Sequence, residues 1–209
     1  MSKFFCDISV SEQKKLLKIL RTNVVLYEKN YQIPSLVSDD IMGLVISGEI
    51  EITKEDYNGN RIIIEELTED KIIGNLTSTT YSDEYKIFTK TECSIIYIDH
   101  NNIINEDNTM YKCYNQFIKN LFVVTNEIIK EKNERIDILS NKSIRDKLLE
   151  YFKITANKSK SKIIYLPFSY TELANYLSVD RAALSREIGH LRDEGFVKTD
   201  GRKITLIEY

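Results

Sequence analysis

The chain has 209 residues, 42% of them hydrophobic, enough to build a core by burial alone in one large domain or two modest ones. The formal net charge of −3 does not by itself favour nucleic acid, and no run of about 18 consecutive apolar residues suits a membrane span. The start, MSKFFCDISVSEQKK, lacks the basic, apolar and small-residue regions of a signal peptide, so a soluble cytoplasmic protein with no membrane partner is expected.

Cysteines are few and far apart. Cys6, Cys93 and Cys113 form no C-x-x-C pattern, and an odd count without a secretion signal argues for free thiols. With only His100 and His190, neither an H-x-H nor an H-E-x-x-H site can be written, so no metal, no cofactor and no enzymatic activity are expected. His100, at a strand end, reads as a surface residue rather than a haem ligand.

Charge is unevenly distributed. Residues 1–139 carry 16 Lys and Arg against 23 Asp and Glu, whereas residues 140–209 carry 13 against 9. An acidic first part and a basic last part point to two domains with different partners, the second facing a polyanion.

In chain order, ISVSEQKKLLKIL at 8–20 places Leu16, Leu17, Ile19 and Leu20 on one side of a short helix capped by Ser9 or Ser11. Short β-branched and aromatic runs then follow to about residue 99: NVVLY, IMGLVI, EIEIT, RIIIEEL, KIIG, YKIF and SIIYID. This is an all-β module. Turns at Ser47-Gly48 and Asn58-Gly59 are expected to fix its strand pairing, the second joining EIEITKED to RIIIEEL antiparallel.

Residues 107–138 contain no Gly or Pro and carry two apolar stripes. One runs through Phe117, Leu121, Val124 and Ile128, the other through Ile118, Phe122, Thr125, Ile129, Lys132 and Ile136. A helix of this length, roughly 45 Å at ~1.5 Å per residue, is too long for a small β domain to cover alone. One stripe is therefore expected against the β module and the other against a second copy of the chain. The dimerisation residues are Phe117, Ile118, Leu121, Phe122, Thr125, Ile128, Ile129 and Ile136. The domains are accordingly 1–106, a dimerisation helix and hinge at 107–139, and 140–209.

After a hinge at 139–141, SNKSIRDKLLEYFKIT reads as a helix with Ile144, Leu148, Leu149 and Phe152 inward, followed by a polar loop ANKSKSK and a strand IIYLPF. Ser169-x-x-Glu172 is a capping box that starts the next helix, with Leu173, Ala174 and Leu177 inward. Ser178-Val179 breaks it, and Asp180 caps a second helix whose buried stripe is Leu184, Ile188 and Leu191. The opposite side then carries Arg181, Ala182, Ser185, Arg186 and Gly189, a face open for docking into a major groove. Two strands around Asp200-Gly201 complete a wing whose Arg202 and Lys203 are placed to touch phosphate.

A β-roll, a long helix and a winged helix-turn-helix in this order resemble the Crp/Fnr family of bacterial transcription regulators. The resemblance rests on SGEIEITKEDYNGNRIIIEELTEDKIIGNL and, more specifically, on SYTELANYLSVDRAALSREIGHLRDEGFVKTDGRKI. It implies an α+β fold, a homodimer on double-stranded DNA, base-reading roles for Arg181 and Arg186, and phosphate contacts at Ser169 and Asp180. RNA polymerase is an implied partner if the protein activates. Where members read a cytosine through a glutamate, this chain has Ala182, so the recognised sequence should differ.

The family's effector pocket maps onto Gly74, Asn75, Leu76, Glu84, Tyr85, Lys86, Lys130 and Glu131. Asn75 stands where cyclic-AMP-binding members have a ribose-binding carboxylate, SDEYK supplies acids near the phosphate position, and Lys130-Glu131 replaces the purine-contacting pair. A cyclic nucleotide is not expected, and any small-molecule effector is of another kind. An iron–sulfur cluster held by four cysteines is excluded by their number. A cupin-type enzyme lacks its histidines; the remaining alternative is a scaffold of the same fold without specific DNA binding.

Overall fold

The first helix begins where the sequence offers its backbone amides a partner. In the computed structural model, which describes residues 2–34, 40–55, 61–74, 85–166 and 169–207, Ser9 caps α1 (Val10–Ile19) in a full capping box with Glu12. Leu16 and Leu20 are fully buried beneath it. Eight strands follow: β1 (Asn23–Tyr27), β2 (Gln32–Ile33), β3 (Ile41–Ser47), β4 (Ile50–Glu55), β5 (Arg61–Leu67), β6 (Ile72–Gly74), β7 (Tyr85–Thr89) and β8 (Cys93–Asp99). The two-residue β2 has no signal of its own in the sequence; it exists because it pairs with β7.

The strands form two antiparallel sheets, in the orders β1-β8-β3-β6 and β2-β7-β4-β5. Between them lies a core that includes Val45, Ile50, Ile52, Ile73, Ile87 and Ile95. The outer face of the first sheet, with Met42, Leu44, Ile96 and Ile98, packs on α1 and the long helix. Both faces of β3 and β8 are thus buried, which is why IMGLVI and SIIYID read as continuous apolar runs instead of alternating ones.

The turn at Ser47-Gly48 does not pair the strands that it joins, because β3 and β4 belong to different sheets. Gly48 has φ +94°, and a Cβ there would lie 2.4 Å from the Glu92 carbonyl oxygen and 2.5 Å from Cys93 Sγ. Glycine is required because the chain crosses from one sheet to the other against the start of β8. The β4–β5 pairing is antiparallel, as expected, with Glu55 opposite Arg61; the Asn58-Gly59 turn lies outside the described residues.

A four-residue helix, α2 (His100–Ile103), and a 3-10 turn (Glu106–Met110) separate the last strand from α3 (Lys112–Ser140). The long helix thus starts five residues later than the sequence suggests, because Asn105 accepts from Asp107 N in a 3-10 turn and Tyr111 is extended. Within α3, Phe117, Leu121, Val124 and Ile128 are buried in the core shared with α1 and the first sheet. Each fully buried side chain of this size contributes about 1.5–3 kcal/mol. Buried Asn120 fixes the N-terminal segment by donating to the carbonyls of Phe4 at 3.1 Å and Cys6 at 2.7 Å.

The chain divides into two units, residues 1–129 and 130–209. In the second, the end of α3 is followed by α4 (Ile144–Ser159), β9 (Ile163–Tyr165), α5 (Tyr170–Tyr176), α6 (Arg181–Asp193), β10 (Val197–Asp200) and β11 (Lys203–Leu206). Its strands form one sheet in the order β10-β11-β9. The core joins Ile138, Leu148, Phe152, Leu173, Leu184 and Leu191. The loop expected at ANKSKSK is helical through Ser159, since Ala156 is buried in this core and turns the polar run into one exposed helix face.

Candidate nucleic-acid interface

Ser169 caps α5 by accepting from Glu172 N, while the Glu172 carboxylate accepts from Ser169 N at 2.6 Å. Leu173, Ala174 and Leu177 turn inward and are almost fully buried. The chain then reverses at Ser178, whose φ of +52° is a left-handed conformation that a glycine adopts with less strain. Lys147, on α4, donates to the Leu177 carbonyl at 3.1 Å and so satisfies the end of α5. That contact has no sequence signal, because its partner lies on another helix.

Asp180 starts α6 by accepting from Ala183 N at 2.8 Å. A carboxylate has no proton to donate to a phosphate, so capping is the chemistry this side chain supplies. Leu184, Ile188 and Leu191 are buried, which orients the helix and leaves Arg181, Ala182, Ser185 and Arg186 exposed. Gly189 continues this face, and a Cβ added there would meet nothing within 4 Å.

The arginines of this unit fall into two groups. Arg145 is engaged by Glu194 at 3.0 Å and Glu187 at 3.6 Å and lies over the Phe196 ring at 5.0 Å. Arg135 lies over the Tyr176 ring at 5.2 Å, and Arg192 meets Asp193 at 3.1 Å. Arg181 and Arg186 have no carboxylate partner among the described residues.

The wing is a two-residue hairpin, with Asp200 opposite Lys203 and Gly201 at φ +57°. Arg202 is exposed at its tip and Lys203 is half-buried. The Tyr170 hydroxyl donates to the Gly201 carbonyl at 3.3 Å, tying the start of α5 to the wing. Two helices crossing a turn of this length, with a β-hairpin behind them, make a winged helix-turn-helix.

Residues 145–209 match the family described as the Crp-like helix-turn-helix domain. The match is a similarity over under a third of the chain. The likeness in fold extends over the whole chain. A CooA variant from Carboxydothermus hydrogenoformans matches with a TM-score of 0.62 and 18% identity, covering 100% of this chain and 96% of that one. CprK complexed with OCPA matches at 0.66 and 14%, covering 92% and 88%. FixK2 from Bradyrhizobium japonicum matches at 0.51 and 16%, covering 90% and 93%. No curated protein matches the chain significantly. The helix-turn-helix domain thus sits in a chain with the Crp/Fnr fold: antiparallel β-roll, long helix, winged helix-turn-helix.

Outside the helix-turn-helix domain, Ile118, Phe122, Thr125, Ile129 and Ile136 leave a stripe along α3 in which Phe122 is 69%, Ile129 49% and Ile136 59% exposed. Phe117, Leu121 and Ile128, counted with them from sequence, are enclosed in the core that this chain forms by itself.

Of the pocket residues, Asn75, Leu76 and Glu84 lie outside the described residues. Gly74 ends β6 with φ +122°, and Tyr85 and Lys86 begin β7. Lys86 pairs with Glu55 at 2.5 Å and Tyr85 packs toward the inter-sheet core. Lys130 and Glu131 are on the part of α3 that belongs to the second unit. His100 is not simply a surface group: it is half-buried, and its Nε2 is enclosed without a hydrogen-bond partner among the described residues. Among the described residues there is no cluster of His, Cys, Asp and Glu that suits a metal, and no helix is long and apolar enough to cross a membrane.

Proposed function

We propose that this chain is a sequence-specific DNA-binding transcription regulator of the cytoplasm, not an enzyme, acting as a homodimer on an inverted-repeat operator. The observation that carries the reading is the pair Arg181 and Arg186, exposed on the free face of α6 without carboxylate partners among the described residues. Arginine in this setting takes guanine O6 and N7 bidentately from the major groove. Ser169, Arg202 and Lys203 supply phosphate contacts that fix the register.

The second stripe of α3, exposed at Phe122, Ile129 and Ile136 and half-buried at Ile118, supports the dimer. Ile118, Phe122, Thr125, Ile129, Lys132 and Ile136 repeat at alternating spacings of four and three, the pattern of a helix packed along a second helix. Two α6 helices related by a two-fold axis then meet half-sites about one helical turn, roughly 34 Å, apart. The β-roll senses a ligand other than a cyclic nucleotide or serves as scaffold, and RNA polymerase is the partner if the protein activates.

Selection of bound duplexes from a random pool at moderate salt tests this: an inverted repeat is expected. Arg181→Ala should then weaken the selected site by about 1–3 kcal/mol and relax one base pair per half-site. Lys203→Ala should weaken all sequences alike and flatten the salt dependence. Equal weakening of every sequence by Arg181→Ala would contradict base reading.

A further inference from the structure

The exposed face of α6 has a relief that says more than that it binds DNA. At about 100° per residue, Ser185, Gly189 and Ala182 fall within roughly 60° of one another, and Arg181 and Arg186 stand about 40° to either side of them. The five-residue step between the arginines is ~7.5 Å along the axis, about two base-pair rises of roughly 3.4 Å. Two long cationic side chains thus flank a shallow floor. On that floor Ala182 presents a methyl group, and Gly189 presents open space where a side chain would stand.

Around Arg181, Ala182, Ser185 and Arg186 this face carries no carboxylate of α6; Asp193 shares its angle only at the far end of the helix, seven residues beyond Arg186. Glu187 is turned away, with Oε1 3.6 Å from Arg145 and Oε2 3.5 Å from His190 Nδ1. Asp193, at the end of the helix, pairs with Arg192 at 3.1 Å, and Glu194 pairs with Arg145 at 3.0 Å. A carboxylate that would take a cytosine N4 amino group is therefore not available beside Arg181 and Arg186 among the described residues.

We infer that α6 selects half-sites in which a thymine C5-methyl packs on Ala182 between two base pairs whose guanines are taken by Arg181 and Arg186, with no cytosine read through a carboxylate. This rests on the DNA-binding reading above. The physical reason is reach. Guanidiniums extended to the base edges hold the helix backbone off the groove floor, and Ala182 is too short to touch a flat base edge. The thymine methyl is the one apolar base substituent that projects into that gap, and burying it against the Ala182 methyl is favourable. Ser185, able to donate or accept, does not discriminate by itself.

The test begins with the duplex selected by the full-length protein and replaces each thymine in turn with deoxyuridine, which removes only the methyl group. One position per half-site should lose affinity by about fourfold. In Ala182→Gly that loss should disappear at the same position, and in Ala182→Gln preference there should shift to adenine, which glutamine takes bidentately. Loss of no affinity at any thymine, or a methyl effect that survives in both variants, overturns the inference while leaving DNA binding intact. Failure to enrich any sequence overturns the DNA-binding reading itself, and this one with it.

Discussion

Arg145 and Glu194 meet fork to fork across 49 residues of sequence, with Arg145 Nη1 donating to Glu194 Oε1 at 3.0 Å. The pair joins the start of α4 to the end of α6, and the hydrogen bond from Arg145 holds the Glu194 carboxyl below its usual range. Arg145→Ala should therefore lower the thermal midpoint of the protein at neutral pH. A carboxyl whose folded value is depressed stabilises above its unfolded value, near about 4.3, and loses that contribution as pH falls through the folded value. The wild type and the variant should thus converge in acid. Melting curves at neutral and acid pH check both points; an unchanged difference would mean that Arg145 acts through the Phe196 ring alone.

Two glycines should respond in opposite ways to alanine. Gly48→Ala places a Cβ in a left-handed backbone, 2.4 Å from a carbonyl oxygen, and should cost about 2 kcal/mol or more in urea unfolding. Gly189→Ala, in a helix with open space around it, should stabilise by up to about 1 kcal/mol. The same alanine raises the floor of the α6 face and should weaken DNA binding. A Gly189→Ala protein that is more stable and binds as well as wild type would remove the floor from the recognition surface.

Ile129 lies on the exposed stripe of α3, one residue beyond buried Ile128. Ile129→Glu should give a folded monomer at micromolar concentration by sedimentation, since the side chain touches no core of its own protomer. Val124→Glu should instead prevent folding, because Val124 is 1% exposed. A dimeric Ile129→Glu protein would place the two-fold contact elsewhere.

Cyclic AMP and cyclic GMP should neither bind measurably nor change DNA affinity. Lys86, the cation nearest in sequence to the SDE run, pairs with Glu55 at 2.5 Å, and Asn75 stands where the family resemblance would place a ribose-binding carboxylate. A ligand phosphate would thus lose its hydration without the charge pairing that offsets the loss. Calorimetric titration checks this, beside a DNA-binding assay with and without nucleotide. Micromolar binding with a tenfold rise in DNA affinity, about 1.4 kcal/mol of coupling, would overturn it.

What the sequence by itself determined are features whose partners lie within one turn of chain. Ser169 with Glu172 starts its helix as read, because both members of the capping box are three residues apart, and of Ser9 and Ser11, both offered as caps by the sequence, it is Ser9 that caps α1. The helical stripes of α6 are equally legible, since 3.6-residue periodicity states which side is buried: Leu184, Ile188 and Leu191 inward, Arg181 and Arg186 outward. The two stripes of α3 separate for the same reason, although sequence alone assigned Phe117, Leu121 and Ile128 to a partner, and they are enclosed in the core that this chain forms by itself.

Only the tertiary structure decided matters that depend on residues far apart in the chain. That β3 and β4 lie in different sheets follows from where β8 and β7 pair with them, more than thirty positions away, and a Ser-Gly turn reads the same whether it closes a hairpin or crosses between layers. The polar stretch after Thr155 became helix because Ala156 found a core built from residues of α5, α6 and the wing. The distinction that matters most for function is of this kind too. Arg145 and Arg181 are the same residue on two amphipathic helices, and nothing local tells a structural arginine from a free one. Arg145 is paired because the fold brings Glu194 to it; Arg181 stands exposed because the fold brings it no carboxylate among the described residues.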